Sequence, residues 1–267
     1  MARRGCYGEG TQMDKNRVVI IGGGVVGLSA AYYSLTAGMA VTVLEREGAD
    51  EANCSVGNAG MVVPSHFIPL AAPGMMAKGL KWMFDRESPF YVRPRLSPEL
   101  AKWGWLFYRH STAAHVARVR ELLRDLNLES RRLFTELAEE FDFGLETRGL
   151  LMLCDTAKGL EGEAQVAAEA AGIGVRARVL TAEQAAAADP GVTMKLAGAV
   201  LWEQDCHLDP ARFVDGLRRK VVSMGGVVEH GVAVDGWVRK GGRVTAVKAG
   251  GREFAGGKFV VAGGSWS

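Results

Sequence analysis

Cysteine is scarce in this chain: four occur in 267 residues (Cys6, Cys54, Cys154, Cys206), and none forms a Cys-x-x-Cys pair. That spacing excludes zinc-ribbon and thioredoxin-type motifs. It leaves reduced thiols of a cytoplasmic protein as the simplest reading. No other metal-ligand spacing occurs, so no metal site is expected. A one-signed charge is missing too. The net charge of +2 gives no pull towards nucleic acid. No apolar run reaches the roughly 18 residues that read as a membrane span. The first sixteen residues lack the apolar region of a secretory signal. They are polar and Gly-rich, and read as a disordered tail (1–16) with Met13 as an alternative start. Absent as well is any Ser/His/Asp set or carboxylate pair to nominate for catalysis.

Glycine, by contrast, is abundant: 35 residues, scattered between apolar runs that bring the hydrophobic share to 48%. This is the composition of a globular α/β chain with many tight turns. Val18–Ile21 is a short β-branched run, as expected of a buried parallel strand. Three glycines follow it, and Val25–Ala37 then reads as a helix closed by Gly38. Ala40–Leu44 is a second strand with Glu45 at its end. Gly22-Gly23-Gly24-Val25-Val26-Gly27 fits G-x-G-x-x-G, and here it has the context that gives the pattern meaning. Gly22 permits the tight turn, Gly24 lets a pyrophosphate approach the backbone, and Gly27 lets helix and strand pack closely. Unpaired N–H groups at the helix N-terminus favour the negative charge. A carboxylate at 45 accepts hydrogen bonds from ribose hydroxyls and repels a 2′-phosphate, which argues against NADP.

The rest of the chain selects among dinucleotides. An NAD-binding half-domain continues with another helix and strand after such a carboxylate. Here the chain enters an irregular loop that includes Cys54–Gly60. The next strand of the same kind, Phe259–Ala262, ends in Gly263-Gly264 about two hundred residues later. A nucleotide domain with so large an insertion fits FAD better. Between these segments the pattern predicts helices over 75–84, 98–110 (Ser97 cap, Pro98 first), 113–141, 162–171, 182–188 and from Pro210 to about 224. It predicts strands at 150–154, 196–202, 226–229, 232–238, 243–249 and 258–262. Residues 88–95 are expected to be extended. The apolar stripe of the longest helix is read as Val116, Val119, Leu123, Leu126, Leu133, Leu137 and Phe141.

Three stretches carry a family resemblance: Val18–Glu45, Ser55-Val56-Gly57-Asn58-Ala59-Gly60, and Pro64–Gly74 (PSHFIPLAAPG). Lys81–Phe84, Ser88–Tyr91 and His207–Pro210 add to it. Together they resemble the FAD-dependent D-amino-acid dehydrogenases, within the wider family of D-amino-acid, glycine and sarcosine oxidases. The resemblance implies a Rossmann-like FAD-binding domain in two parts (17–74 and 206–267), interrupted by a substrate or cap domain (75–205). It implies that Gly22, Gly24, Val25, Val26 and Gly27 hold the pyrophosphate, and that Glu45, beside Arg46, holds the adenosine ribose. Ser55, Asn58, Ala59 and Gly60 would lie along the flavin, Val234 on a strand passing the adenine, and Gly263 and Gly264 against the nucleotide.

The implied reaction removes a hydride from the α-carbon of a D-amino acid, and the resulting imine hydrolyses to a 2-oxo acid and ammonia. Glycine, sarcosine or hydroxyproline are alternative substrates, and oxygen, a quinone or another carrier could take the electrons. The sequence stops at Ser265-Trp266-Ser267, earlier than the family does. A C-terminally truncated, incomplete domain is therefore expected, and a binding chain without turnover is the rival reading. A cytoplasmic location follows, with peripheral contact at the inner face of a membrane as an option.

His66, just past the flavin-side loop, is the one weak catalytic candidate; a local hydrogen bond is its plainer role. His207, before a helix cap, reads as structural. Arg93 and Arg95 could attract a carboxylate, but arginines beside proline are more often solvated. Cys54 has no activating neighbour, which argues against a covalent flavin link. Met75, Met76, Trp82 and Met83 could form an acceptor or membrane-docking face, against ordinary helix packing.

Overall fold

The computed structural model describes residues 15–49, 53–85, 88, 91–92 and 95–267. Most of the expected N-terminal tail, Arg93 and half of the expected extended stretch 88–95 lie outside the described residues. The chain divides into two compact units. The first takes the chain up to Gly60, with Phe141–Gly144 and Leu208–Ser267; the second takes Met61–Glu140 and Leu145–His207.

In chain order the elements are β1 (Arg17–Ile21), α1 (Val25–Thr36), β2 (Ala40–Leu44), β3 (Met61–Val62), α2 (Met75–Met83), α3 (Pro98–His110) and α4 (Ala113–Glu140). Then follow β4 (Leu150–Cys154), α5 (Ala157–Ala171), β5 (Ala177–Thr181), α6 (Ala182–Ala188), β6 (Gly198–Trp202), β7 (Cys206–His207) and α7 (Pro210–Ser223). The chain closes with β8 (Val227–Glu229), β9 (Val234–Lys240), β10 (Arg243–Ala249), β11 (Arg252–Ala255) and β12 (Lys258–Val261).

The first unit is built on a parallel sheet of order β12-β1-β2-β8. Its strands are short and β-branched, as suits strands covered on both faces. On one face Val18, Ile20, Val41 and Val43 pack with Ala31 of α1 and Val221 of α7. On the other, Val19 and Leu44 pack with Val247 and Ala249 of an antiparallel meander, β11-β10-β9. The period-2 alternation of β1 thus feeds two cores. Phe141-Asp142-Phe143-Gly144 belongs here because Phe141 and Phe143 close on Phe213 of α7.

The second unit centres on an antiparallel sheet, β4-β6-β5. Val200 and Trp202 pack with Ala167 and Ala170 of α5 and with Phe67. Ala199, on the opposite face, packs with Ala185 of α6. β3 pairs with β7, Met61 opposite His207 and Val62 opposite Cys206. This pairing groups residues 61–74 with the second unit.

Helix starts follow local chemistry. The Ser97 hydroxyl accepts from Leu100 N–H, the Asp209 carboxylate from Ala211 and Arg212 N–H, and Thr181 and Gln184 form a capping box. Three readings need correction. α5 begins at Ala157, not 162, because the Thr156 hydroxyl accepts from Gly159 N–H and starts the helix earlier. β5, β11 and the two-residue strands β3 and β7 were not expected; they are short, and tertiary pairing makes them. Leu126 of α4 is exposed. Its neighbours Arg124 and Asn127 turn inward instead, donating to the carbonyls of Ile173 and His66. Polar groups satisfied in this way are invisible to a hydropathy stripe.

Candidate cofactor site

The glycine turn joins β1 to α1 at the carboxyl end of the parallel sheet. Here the sheet order reverses, with β2 on one side of β1 and β12 on the other, which is where open α/β sheets bind ligands. Gly22 has φ +108°, a conformation glycine adopts without penalty. Its N–H donates to Leu44 O at 2.8 Å. A Cβ on Gly22 would overlap the Ala262 carbonyl, and one on Gly27 would overlap the Gly22 carbonyl. Both glycines are thus demanded by close backbone approach.

Glu45 is held from both sides. Its N–H donates to Glu229 O and its carbonyl accepts from Val232 N–H, each at 2.8 Å. Its carboxylate turns back to the glycine turn: Oε2 accepts from Gly23 N–H at 2.6 Å and Oε1 from Glu47 N–H at 3.0 Å. Arg46 pairs with Glu47 at 2.7 Å.

Gly24 is the N-cap of α1, and the helix has no acidic residue in its first turn. The positive end of the dipole therefore carries no compensating carboxylate on the helix itself. The Ser55 hydroxyl reaches in from the loop and accepts from Val25 N–H at 3.0 Å. A Cβ on Gly24 would stand 2.9 Å from Ser55 Oγ. Val26, though apolar, is 66% exposed at the second position of the helix. A cradle closed to any side chain, a helix end with no acidic residue in its first turn and a nearby carboxylate are a donor and acceptor set that suits FAD. The residues fit the cofactor.

The loop from Asn53 to Gly60 is tied internally. Asn53 Oδ1 accepts from Ser55 N–H, and Asn58 bonds Cys54 O, Ser55 O and Gly60 N–H. Gly60 sits at φ +64°, and its carbonyl accepts from Leu208 N–H at 2.8 Å. Gly263 and Gly264 follow β12, whose last bond runs from Ala262 N–H to Ile21 O. Val234 opens β9 and packs into the core cluster beneath the sheet with Leu44 and Val247. The first unit thus brings Gly22, Gly24, Gly27, Glu45 and Ser55 to one end of the sheet.

In the second unit, His66 is exposed. The turn that carries it is fixed by a residue the sequence reading missed. Asp205 is fully buried; its Oδ1 accepts from Ser65 N–H at 3.0 Å and its Oδ2 from the Ser65 hydroxyl at 2.6 Å. Burial pushes the Asp205 carboxyl above its ordinary range, against the opposing pull of the Ser65 bonds and the charges of His66 and Arg131. The sequence signal available was an acidic residue, Asp205, right after the apolar strand β6. Of the cysteines described, Cys54 is exposed, while Cys154 and Cys206 are buried with thiols pushed up by burial. Among the described residues no His/Cys/Asp/Glu group could hold a metal ion. None of their helices is long and apolar enough to cross a membrane.

A parallel sheet with a glycine turn at its switch point, a carboxylate ending the second strand and a meander on the opposite face defines a dinucleotide-binding flavoprotein fold. The chain belongs to the FAD dependent oxidoreductase (DAO) family, whose model matches residues 17–267. It is 33% identical over 256 residues to a D-amino acid dehydrogenase of Cereibacter sphaeroides, covering 94% of this chain and 59% of that protein. A D-amino acid dehydrogenase of Allorhizobium ampelinum is 30% identical, covering 94% and 61%. The chain thus spans about six tenths of the length of these curated relatives. Glycine oxidase from Geobacillus kaustophilus shares the fold with a TM-score of 0.67 at 21% identity, over 94% of this chain and 56% of that one. L-proline dehydrogenase from P. horikoshii does so with 0.61 at 17%, over 94% and 53%.

Proposed function

We propose that this chain forms the FAD-holding portion of an oxidoreductase acting on the CH–NH2 bond of a D-amino acid, giving an imine and then a 2-oxo acid and ammonia. The observation that carries the reading is the N-terminus of α1, free of acidic residues in its first turn, with Glu45 at the end of β2 and Ser55 on the first helical N–H. The likeness to D-amino acid dehydrogenases over 94% of the chain supports the substrate class. Bound FAD supplies the two-electron oxidation.

The chain's own part is binding and order. The N–H groups opening α1 would hold the pyrophosphate beside Gly22, Gly24 and Gly27. The Glu45 carboxylate would accept from the ribose hydroxyls. Arg46, Ser55, Asn58, Ala59, Gly60, Val234, Gly263 and Gly264 complete the proposed site. A quinone or another carrier receives the electrons. The location is cytoplasmic, and the α2 face of Met75, Met76, Trp82 and Met83, with Trp82 exposed, would make any peripheral membrane contact.

The rival reading is a chain that binds FAD without turnover. One experiment separates them. The purified chain is loaded with FAD, its visible spectrum recorded, and D-amino acids and glycine added with a dye acceptor. Bleaching with D-amino acids supports the enzyme. A flavin spectrum without bleaching supports the binding chain. A protein that takes up no FAD refutes both.

A further inference from the structure

We infer that Asn58 is a positioning residue for the cofactor: its side-chain amide clamps the Asn53–Gly60 loop so that the Ser55 hydroxyl is held at the start of α1. The inference rests on the proposed FAD site and assigns a part to one residue in it.

Asn58 is exposed, yet its polar atoms are engaged. Nδ2 donates to Cys54 O at 3.2 Å and to Ser55 O at 2.8 Å, while Oδ1 accepts from Gly60 N–H at 2.8 Å. A primary amide has two hydrogens, and both are spent within the loop. The side chain therefore has no donor left for a ligand; its work is to shape the backbone.

The two ends of this clamp are the two anchors of the loop. At one end, Ser55 is fixed through its N–H by Asn53 Oδ1 at 2.9 Å and through its carbonyl by Asn58. That leaves its hydroxyl on Val25 N–H, facing Gly24. At the other end, Gly60 is held with its carbonyl on Leu208 N–H. Its φ of +64° and the nearby Leu208 carbonyl leave no room for a side chain. Without the amide, residues 55–60 keep their ends but lose the brace between them. A cofactor would then have to order the loop on binding, and that ordering weakens affinity. Asn58→Asp keeps an acceptor for Gly60 N–H but sets a carboxylate against the carbonyls of Cys54 and Ser55.

The test titrates FAD into the apoprotein and follows flavin fluorescence, for the wild type, Asn58→Ala, Asn58→Asp, Ser55→Ala and the double variant Ser55→Ala/Asn58→Ala. Thermal melts of the apoproteins run alongside. Asn58→Ala is expected to weaken FAD binding about tenfold, the cost of ordering the unbraced loop when the cofactor binds, with the apoprotein melt within about 3 °C of wild type. Asn58→Asp is expected to weaken it at least as much. If Asn58 acts through Ser55, the double variant is little weaker than the worse single one. An Asn58→Ala affinity within about twofold of wild type overturns the inference, and so do effects that simply multiply in the double variant. A wild type that binds no FAD overturns the cofactor reading itself, a distinct result.

Discussion

Replacing Asp205 by Ala is expected to loosen the turn that carries His66 and to destabilise the chain by about 3 kcal/mol. The magnitude follows from the contacts. The two oxygens of the buried carboxylate take both donors of the half-buried Ser65, at 3.0 and 2.6 Å. Hydrogen bonds to a charged group are worth about 1.5–3 kcal/mol each, and stranding two half-buried donors costs at most about 1–3 kcal/mol apiece. Against this stands the cost of burying the carboxylate, which is the main cause of its raised pKa. The net of these opposed effects is about 3 kcal/mol.

For a chain of this size that shifts the melting temperature by about 6–12 °C, readable by circular dichroism. Asp205→Asn tests the charge separately. Because the folded carboxyl binds its proton more tightly than the unfolded one, its contribution to stability is fully present below the ordinary pKa. It is lost as pH rises through the folded value. The wild type should therefore gain stability relative to Asp205→Asn as pH falls from 7 towards 4. A melting temperature of Asp205→Ala within about 1 °C of wild type, or a gap between wild type and Asp205→Asn that ignores pH, would refute the reasoning.

Two further outcomes concern the cofactor site. In Gly27→Ala the new methyl would overlap the Gly22 carbonyl, so α1 must shift away from β1. A loss of about 1–3 kcal/mol in chemical denaturation is expected, together with weakened FAD uptake, and unchanged values for both would contradict it. Glu45→Gln keeps the shape but removes the charge from the acceptor of Gly23 and Glu47 N–H. FAD affinity should fall about tenfold by fluorescence titration, and an unaltered affinity would remove Glu45 from the site.

The local devices of this chain are written in its sequence, because each depends on neighbours a few residues away. The β1–α1–β2 unit, the caps at Ser97 and Asp209, and the three fingerprint glycines with Glu45 could be read from spacing alone. The same reading gave Gly22 the tight turn and Gly27 the close packing, but could not see that the Ala262 and Gly22 carbonyls enforce them. Nor could it see that Ser55, thirty residues beyond Val25, ends on the first N–H of α1. Those contacts depend on how the backbone closes on itself. Tertiary structure alone turned Leu126 outward and gave Asn127 the His66 carbonyl as partner, since a polar group with a distant partner does not show in hydropathy. It also buried Asp205 against Ser65, 140 residues away in sequence, where burial and two hydrogen bonds, not residue type, set what the carboxylate does.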